Sequence, residues 1–129
     1  MLFHEFVTKV IDSGIRAAKE DYTRPADAER LEGSLAGFEA CRGKDMGQLT
    51  GLLQEASRQA IEAHREEADN YWVIRSRQAE IEWVCNVVSS ALASSGLAVI
   101  VPPTMGGMMT AARILNGDGC VILGEDVPL

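Results

Sequence analysis

The chain has 129 residues and a mass of 14.0 kDa, which suits one domain, since two independent cores would be crowded. Apolar residues make up 47% and charged residues 24%, the balance of a globular rather than a disordered protein. Acidic residues outnumber basic ones by 19 to 12, and the net charge of -7 argues against broad nucleic-acid binding through phosphate neutralisation.

The sequence carries no signal for a membrane or an export route. No window approaches the roughly 20 unbroken apolar residues of a membrane span. The amino terminus has no basic stretch ahead of an apolar one, so we expect no signal peptide. The three cysteines, Cys41, Cys85 and Cys120, lack close pairing and are typical of reduced thiols in the cytoplasm. We expect one cytoplasmic domain over residues 1–129, with 124–129 as a loose tail.

Two helices are predicted in the first third of the chain. Apolar residues recur at three- and four-residue steps over 3–15, and this helix should end near 21–22, before Pro25. Pro25 then suits the first position of a second helix, which should end at 41–43 with Gly43 as its left-handed cap. That helix carries a stripe of small residues, Gly33, Ala36, Gly37 and Ala40. Since glycine inside a helix costs on the order of 1 kcal/mol, the stripe predicts close approach of another helix or of a ligand.

A third helix is predicted to begin after Asp45, with Gln48 completing a capping box. From 58 to 70 the chain is dense in charge and should be solvated. We expect it to continue into the next helix as one long helix or two nearly collinear ones; the alternative is a bend near 69–70, where Asp69 is a suitable new cap. Residues 71–94 are apolar nearly all round, which favours a central helix or an oligomer contact.

The carboxy-terminal region should contain short extended segments. The pattern predicts short strands or extended arms over 97–101 and 120–123, on either side of a short helix over 105–115. The predicted fold class is therefore mainly α, with three to four helices including one long helix and a short extended or strand-bearing C-terminal region.

The most informative candidate site is a polar stripe on the apolar helix. Five polar residues at steps of three and four share one face, namely Arg75, Gln78, Glu82, Asn86 and Ser89. Trp72 and Trp83 lie eleven residues apart and line the edge of that face. Apolar walls with a few placed polar groups are typical of a ligand pocket. The alternatives are a solvent-exposed face or a buried network that holds packed helices in register.

A second candidate is the basic turn Arg42-Gly43-Lys44 before the third helix. Two cations beside exposed helix N–H groups can hold a carboxylate or phosphate, although basic residues also complement a helix carboxy terminus. The spacing matches no phosphate-loop motif.

A third candidate is two pairs of carboxylates, Glu29 with Glu32 and Glu66 with Asp69. Pairs from two helices can hold Mg²⁺. The run Glu66-Glu67-Ala68-Asp69 followed by Tyr71-Trp72-Val73-Ile74 resembles the second motif of the all-helical nucleotide pyrophosphohydrolases related to MazG. That resemblance implies a magnesium-dependent enzyme, although the extra acid of the family's first motif is missing. No other cofactor is expected.

The chain also resembles small proteins of unknown function encoded by tailed phages and prophages. The resemblance covers under half of the chain, in the segments Gly37-Phe38-Glu39-Ala40-Cys41-Arg42-Gly43-Lys44, Glu80-Ile81-Glu82-Trp83-Val84-Cys85-Asn86-Val87-Val88 and Val101-Pro102-Pro103-Thr104. It implies a viral or prophage context, and hence a location in the host cytoplasm, without implying an activity.

These patterns lead to one main hypothesis and two alternatives. The main hypothesis is a non-catalytic, homo-oligomeric binding protein that recognises or sequesters a small anionic or nucleotide-like ligand. Its candidate ligand-binding residues are Arg42, Lys44, Trp72, Arg75, Glu82, Trp83 and Asn86. The alternatives are the magnesium-dependent pyrophosphohydrolase and an acidic protein that blocks a host protein.

Overall fold

A computed structural model of the protein describes residues 3–94. Within that range the chain forms four α-helices: α1 (Phe3–Asp21), α2 (Ala28–Ala40), α3 (Met46–Arg65) and α4 (Tyr71–Ser94). A short 3-10 turn, Pro25–Asp27, precedes α2. The mainly helical class is therefore confirmed. The strands, short helix and loose tail predicted beyond residue 96 lie outside the described residues.

The predicted ends of the first two helices are confirmed to within a few residues. Pro25 begins the 3-10 turn, and Asp27 closes that turn by accepting hydrogen bonds from the backbone and side chain of Arg24. Gly43 has a φ of 72°, the left-handed conformation predicted for it.

The capping box at the start of α3 is also confirmed. The Asp45 carboxylate accepts from the Gln48 backbone N–H at 2.8 Å, and the Gln48 side-chain oxygen accepts from the Asp45 N–H at 3.1 Å.

The expectation that α3 and α4 form one long helix or two nearly collinear ones is wrong. The chain turns back after α3 through a Schellman motif. The Ala68 N–H donates to the carbonyl of Ala63 at 3.0 Å, and the Glu67 N–H donates to that of His64 at 3.3 Å. Glu67 occupies the left-handed position with a φ of 51°, where glycine is the usual residue. The turn formed without the Gly or Pro signal that would have predicted it.

Helix α4 is the centre of the described fold, because α1, α2 and α3 each pack against it. It runs antiparallel to α3, since Arg77 bonds to Gln59 whereas Cys85, further along α4, reaches the carbonyl of Leu49. Among the described helices α2 and α3 do not pack on each other, so α4 lies between them.

The small-residue stripe of α2 is the contact with α4, which confirms the predicted close approach of a helix. A Cβ built on Gly33 would lie 2.3 Å from the carbonyl oxygen of Val73, and one on Gly37 would lie 2.6 Å from that of Arg77. Gly33 meets Val73, and Gly37, one turn later in α2, meets Arg77, one turn later in α4, so α2 and α4 run parallel. Any side chain at either glycine would force the two backbones apart.

The hydrophobic core joins the amino-terminal half of α1 to the carboxy-terminal half of α4. Its fully buried side chains are Phe3, Phe6, Val7, Val10, Ile11, Cys41, Leu49, Ile81, Val84, Cys85, Val87 and Val88. From Ile81 to Leu92 nearly every residue of α4 is buried, whereas residues 71–80 are mostly half-exposed. None of the described helices is long and apolar enough to cross a lipid bilayer.

Candidate functional site

The predicted polar stripe of α4 is exposed at one end and buried at the other. Arg75 and Gln78 are half-buried, Glu82 is exposed, and Asn86 and Ser89 are buried. The five side chains therefore do not face one common pocket. The two residues at the amino-terminal end are the ones that border a cavity.

That cavity is a groove of about 370 Å³ between α3 and α4, called here the α3–α4 groove. It is lined by Ser57, Ala60, Ile61 and His64 from α3 and by Tyr71, Arg75 and Gln78 from α4. Its volume lies at the lower end of the range for small-molecule sites. Ile61 has 61% of its surface exposed, an unusual fraction for isoleucine on a helix of a folded domain.

Arg75 supplies the positive charge of the groove. Its Nη1 donates to the side-chain oxygen of Gln78, and the Gln78 amide nitrogen donates to the Ser57 hydroxyl at 3.4 Å. This chain of bonds fixes the guanidinium against α3. Within residues 3–94, Arg75 makes no ion pair, so its charge is not neutralised by a neighbouring carboxylate.

Three other arginines of the described segment, Arg24, Arg42 and Arg58, form ion pairs with acids, whereas Arg77, like Arg75, bonds to a neutral glutamine. Arg58 bonds to Glu55 at 2.6 Å and to Glu62 at 2.8 Å along the exposed face of α3. The guanidinium of Arg58 lowers the pKa of the Glu55 carboxyl through that hydrogen bond. Two glutamates thus balance the charge of Arg58, whereas within residues 3–94 Arg75 bonds to a neutral side chain.

Aromatic rings extend from the groove across the start of α4. The rings of His64 and Tyr71 lie 5.6 Å apart, and those of Tyr71 and Trp72 lie 5.1 Å apart. The guanidinium of Arg30, on α2, lies 4.9 Å from the centroid of the Trp72 ring, a cation–π contact. Trp72 itself is 48% exposed.

Trp72 therefore borders a different depression from Arg75. This second cavity, of about 270 Å³, lies on the α2 side and is lined by Arg24, Ala26, Asp27, Glu29, Arg30 and Trp72. The sequence placed Trp72 at the edge of the polar stripe, and the structure places it beside α2. Asp27 is buried there, and its hydrogen bond from Arg24 lowers the pKa of its carboxyl.

Trp83 packs in the protein interior and does not border the α3–α4 groove. Its half-buried ring meets Phe38 of α2 edge to face, with centroids 5.8 Å apart and planes at 88°. Phe38 in turn packs where a Cβ on Gly14 would lie, so Trp83 belongs to the packing of α4 on α1 and α2.

The basic turn after α2 is occupied by ion pairs. Arg42 bonds to Glu39 at 2.9 Å and to Asp12 of α1 at 3.0 Å. The hydrogen bond from Arg42 lowers the pKa of the Glu39 carboxyl. Lys44 is half-buried. Arg42 therefore ties α1 to the end of α2 through two carboxylates.

The four carboxylates of the magnesium hypothesis lie on the surface. Glu29 and Glu32 are exposed on α2, and Glu66 and Asp69 are exposed in the turn between α3 and α4. Within residues 3–94, no group of three or more acidic, histidine or cysteine side chains is arranged to hold a metal ion.

Two buried thiols and one half-buried carboxyl group lie at the helix contacts. Burial raises the pKa of Cys41 and of Cys85 to about 12, so both thiols stay protonated and unreactive. Glu80 lies where α4 meets Gly37, and burial raises the pKa of its carboxyl to about 7.

Sequence reasoning found Arg75 and Gln78 but missed the α3 side of the groove. Ser57, Ile61 and His64 follow one another at steps of four and three, so they share one face of α3. The available signal was Ile61, a lone large apolar residue within a highly charged stretch. Comparisons with protein-family models, curated proteins and solved structures found no match, so no relative assigns a role to these residues.

Proposed function

We propose that this chain is a non-catalytic binding protein that holds a small anionic ligand in the α3–α4 groove. The observation that supports this proposal is Arg75, a half-buried guanidinium in a groove with no acidic partner in the described segment. A partly desolvated cation binds an anion more strongly than a cation in bulk water does. The residues around it offer an apolar wall and polar edges.

The groove supports a narrower set of site residues than the sequence did. Arg75 meets the negative charge, Tyr71 and Ile61 contact the body of the ligand, and Ser57 and Gln78 contact its polar edges. Asn86 and Trp83 act through packing in this proposal. Arg42 and Lys44 are not part of the groove.

The experiment starts from protein purified under native conditions. Native mass spectrometry identifies any molecule that co-purifies, and calorimetric titration then measures binding of nucleoside monophosphates and organic acids. Arg75→Gln should lower the affinity for any bound anion by roughly tenfold or more, because it removes a charge-assisted hydrogen bond.

Arg65→Gln is the matched control. It makes the same change in net charge on the exposed end of α3, and Arg65 does not line the α3–α4 groove. The proposal is wrong if no anion of the panel binds, or if the two variants weaken binding equally.

We also propose that the protein works as a homo-oligomer in the cytoplasm of a phage-infected or prophage-carrying cell. An exposed large apolar side chain that does not line the α3–α4 groove, Trp72, supports self-association. The resemblance described above supports the phage context. Sedimentation velocity of wild type and of Trp72→Ala tests the oligomer: a monomeric mass for the wild type would refute it.

A further inference from the structure

The α3–α4 groove has a charge and shape that select among anions. Among residues 3–94 its lining holds one guanidinium and no carboxylate, so one negative charge of a ligand is directly neutralised there. The chain as a whole carries a net charge of -7. A second negative charge on the ligand would lack a cation of its own in the groove and would be repelled by the overall field. The charge balance therefore favours a monoanion.

The guanidinium of Arg75 favours a flat anionic group. Its Nη1 donates to Gln78, and within residues 3–94 its other N–H groups have no hydrogen-bond partner. A planar guanidinium matches the two oxygens of a carboxylate through paired hydrogen bonds.

The rest of the lining favours an apolar ring. Ile61 and Ala60 form an aliphatic wall, and the rings of His64 and Tyr71 lie next to each other at 5.6 Å with planes at 51°. Aromatic rings pack well in such tilted arrangements. A volume of about 370 Å³ accommodates one or two fused rings.

We infer that the ligand of the α3–α4 groove is an aromatic monocarboxylate, with its carboxylate on Arg75 and its ring against Ile61 and Tyr71. This inference rests on the proposed function and specifies the class of ligand.

Three probes with the same ring test it: 2-naphthoate, its neutral amide and naphthyl phosphate, titrated calorimetrically into the full chain in mildly alkaline buffer. Naphthoate should bind roughly tenfold tighter than the amide, because only the anion forms charge-assisted bonds with Arg75. The phosphate, a dianion under these conditions, should bind a few-fold more weakly than naphthoate.

Variants locate the effect. Arg75→Gln should remove the preference for naphthoate over the amide by weakening naphthoate roughly tenfold more than the amide, and Arg65→Gln should change neither. Ile61→Ala should weaken naphthoate and the amide by the same factor. Unfolding curves confirm that each variant is folded.

The outcomes separate this inference from the proposed function. If naphthyl phosphate binds tightest and depends on Arg75, the inference is wrong while anion binding in the groove stands. If the amide binds as well as naphthoate, the inference is wrong, while the proposed function stands as long as an anion of the panel binds through Arg75. If no probe and no anion of the panel binds, both are wrong. If Arg75→Gln weakens the amide as much as naphthoate, Arg75 acts only through packing and the inference is overturned.

Discussion

Replacing Gly33 by alanine is expected to destabilise the protein, although the same change elsewhere in a helix is expected to stabilise it. The reason is the contact between α2 and α4. The new Cβ would lie 2.3 Å from the Val73 carbonyl oxygen and 2.8 Å from the Ser76 Cβ, whereas van der Waals contacts become ordinary only at 3.4 Å. The nearest atom belongs to backbone, so α2 and α4 must move apart by about 1 Å.

The magnitude follows from two opposing effects. Alanine gains about 1 kcal/mol over glycine in helix propensity. Overpacking a close contact typically costs about 1–3 kcal/mol, and here the separation of two helices also loosens neighbouring contacts. We expect the free energy of unfolding to fall by about 2 kcal/mol for Gly33→Ala, and by somewhat less for Gly37→Ala, whose Cβ would lie 2.6 Å from the nearest backbone oxygen.

Gly51 provides the matched control. It is exposed in the interior of α3, and a Cβ built there meets no atom within 4 Å. Gly51→Ala should therefore raise the free energy of unfolding by about 0.5–1 kcal/mol. Urea denaturation followed by circular dichroism measures both variants, with the slope of unfolding against urea expected to stay constant. If Gly33→Ala stabilises as much as Gly51→Ala, the two helices are not in backbone contact and the arrangement of α2 on α4 is wrong.

Two further predictions test the turn after α3 and the carboxyl group of Glu80. Glu67→Gly should raise the free energy of unfolding by about 1 kcal/mol, because glycine adopts a left-handed φ without strain. Glu66→Gly, at a right-handed position, should lower the free energy of unfolding. Urea denaturation that shows both variants destabilised would contradict the turn. The pKa of Glu80 is raised to about 7 in the folded protein, so the folded state binds more protons than the unfolded state between the two pKa values, and stability should fall as pH rises through that interval. Glu80→Gln should remove this loss of stability and stabilise the protein above neutral pH by about 1–2 kcal/mol, a value reduced because Glu80 is partly exposed. If wild type and variant show the same dependence of stability on pH, the pKa of Glu80 is not raised.

The elements that could be predicted from the sequence are those whose signals are local. The capping box of Asp45 and Gln48, the left-handed Gly43 and the proline before α2 each depend on residues within one turn of one another. The glycine stripe was informative because glycine inside a helix is unfavourable without a close neighbour.

The reversal between α3 and α4 could not be predicted in this way. Its left-handed residue is Glu67, so the local composition favours a continuing helix. What stabilises the turn is tertiary: α3 packs against α4 through the Gln78–Ser57 and Cys85–Leu49 contacts. The helical periodicity of apolar residues in one segment does not show which other segment packs against it.

The same limit explains why the candidate site was predicted only in part. Periodicity correctly placed Arg75 and Gln78 on one face of α4, but it extended that face through Asn86, where the helix is enclosed by the core.

The described fold therefore separates two roles along α4. Asn86 lies among buried residues, so removing its side chain should affect folding and any binding together. Arg75 borders the groove and, within residues 3–94, bonds to the half-buried Gln78, so its substitution should affect binding while the core of Ile81, Val84 and Val88 stays intact. Binding and folding should thus be separable at the amino-terminal half of α4 and inseparable at the carboxy-terminal half, which makes Arg75 the residue at which the proposed function is most directly tested.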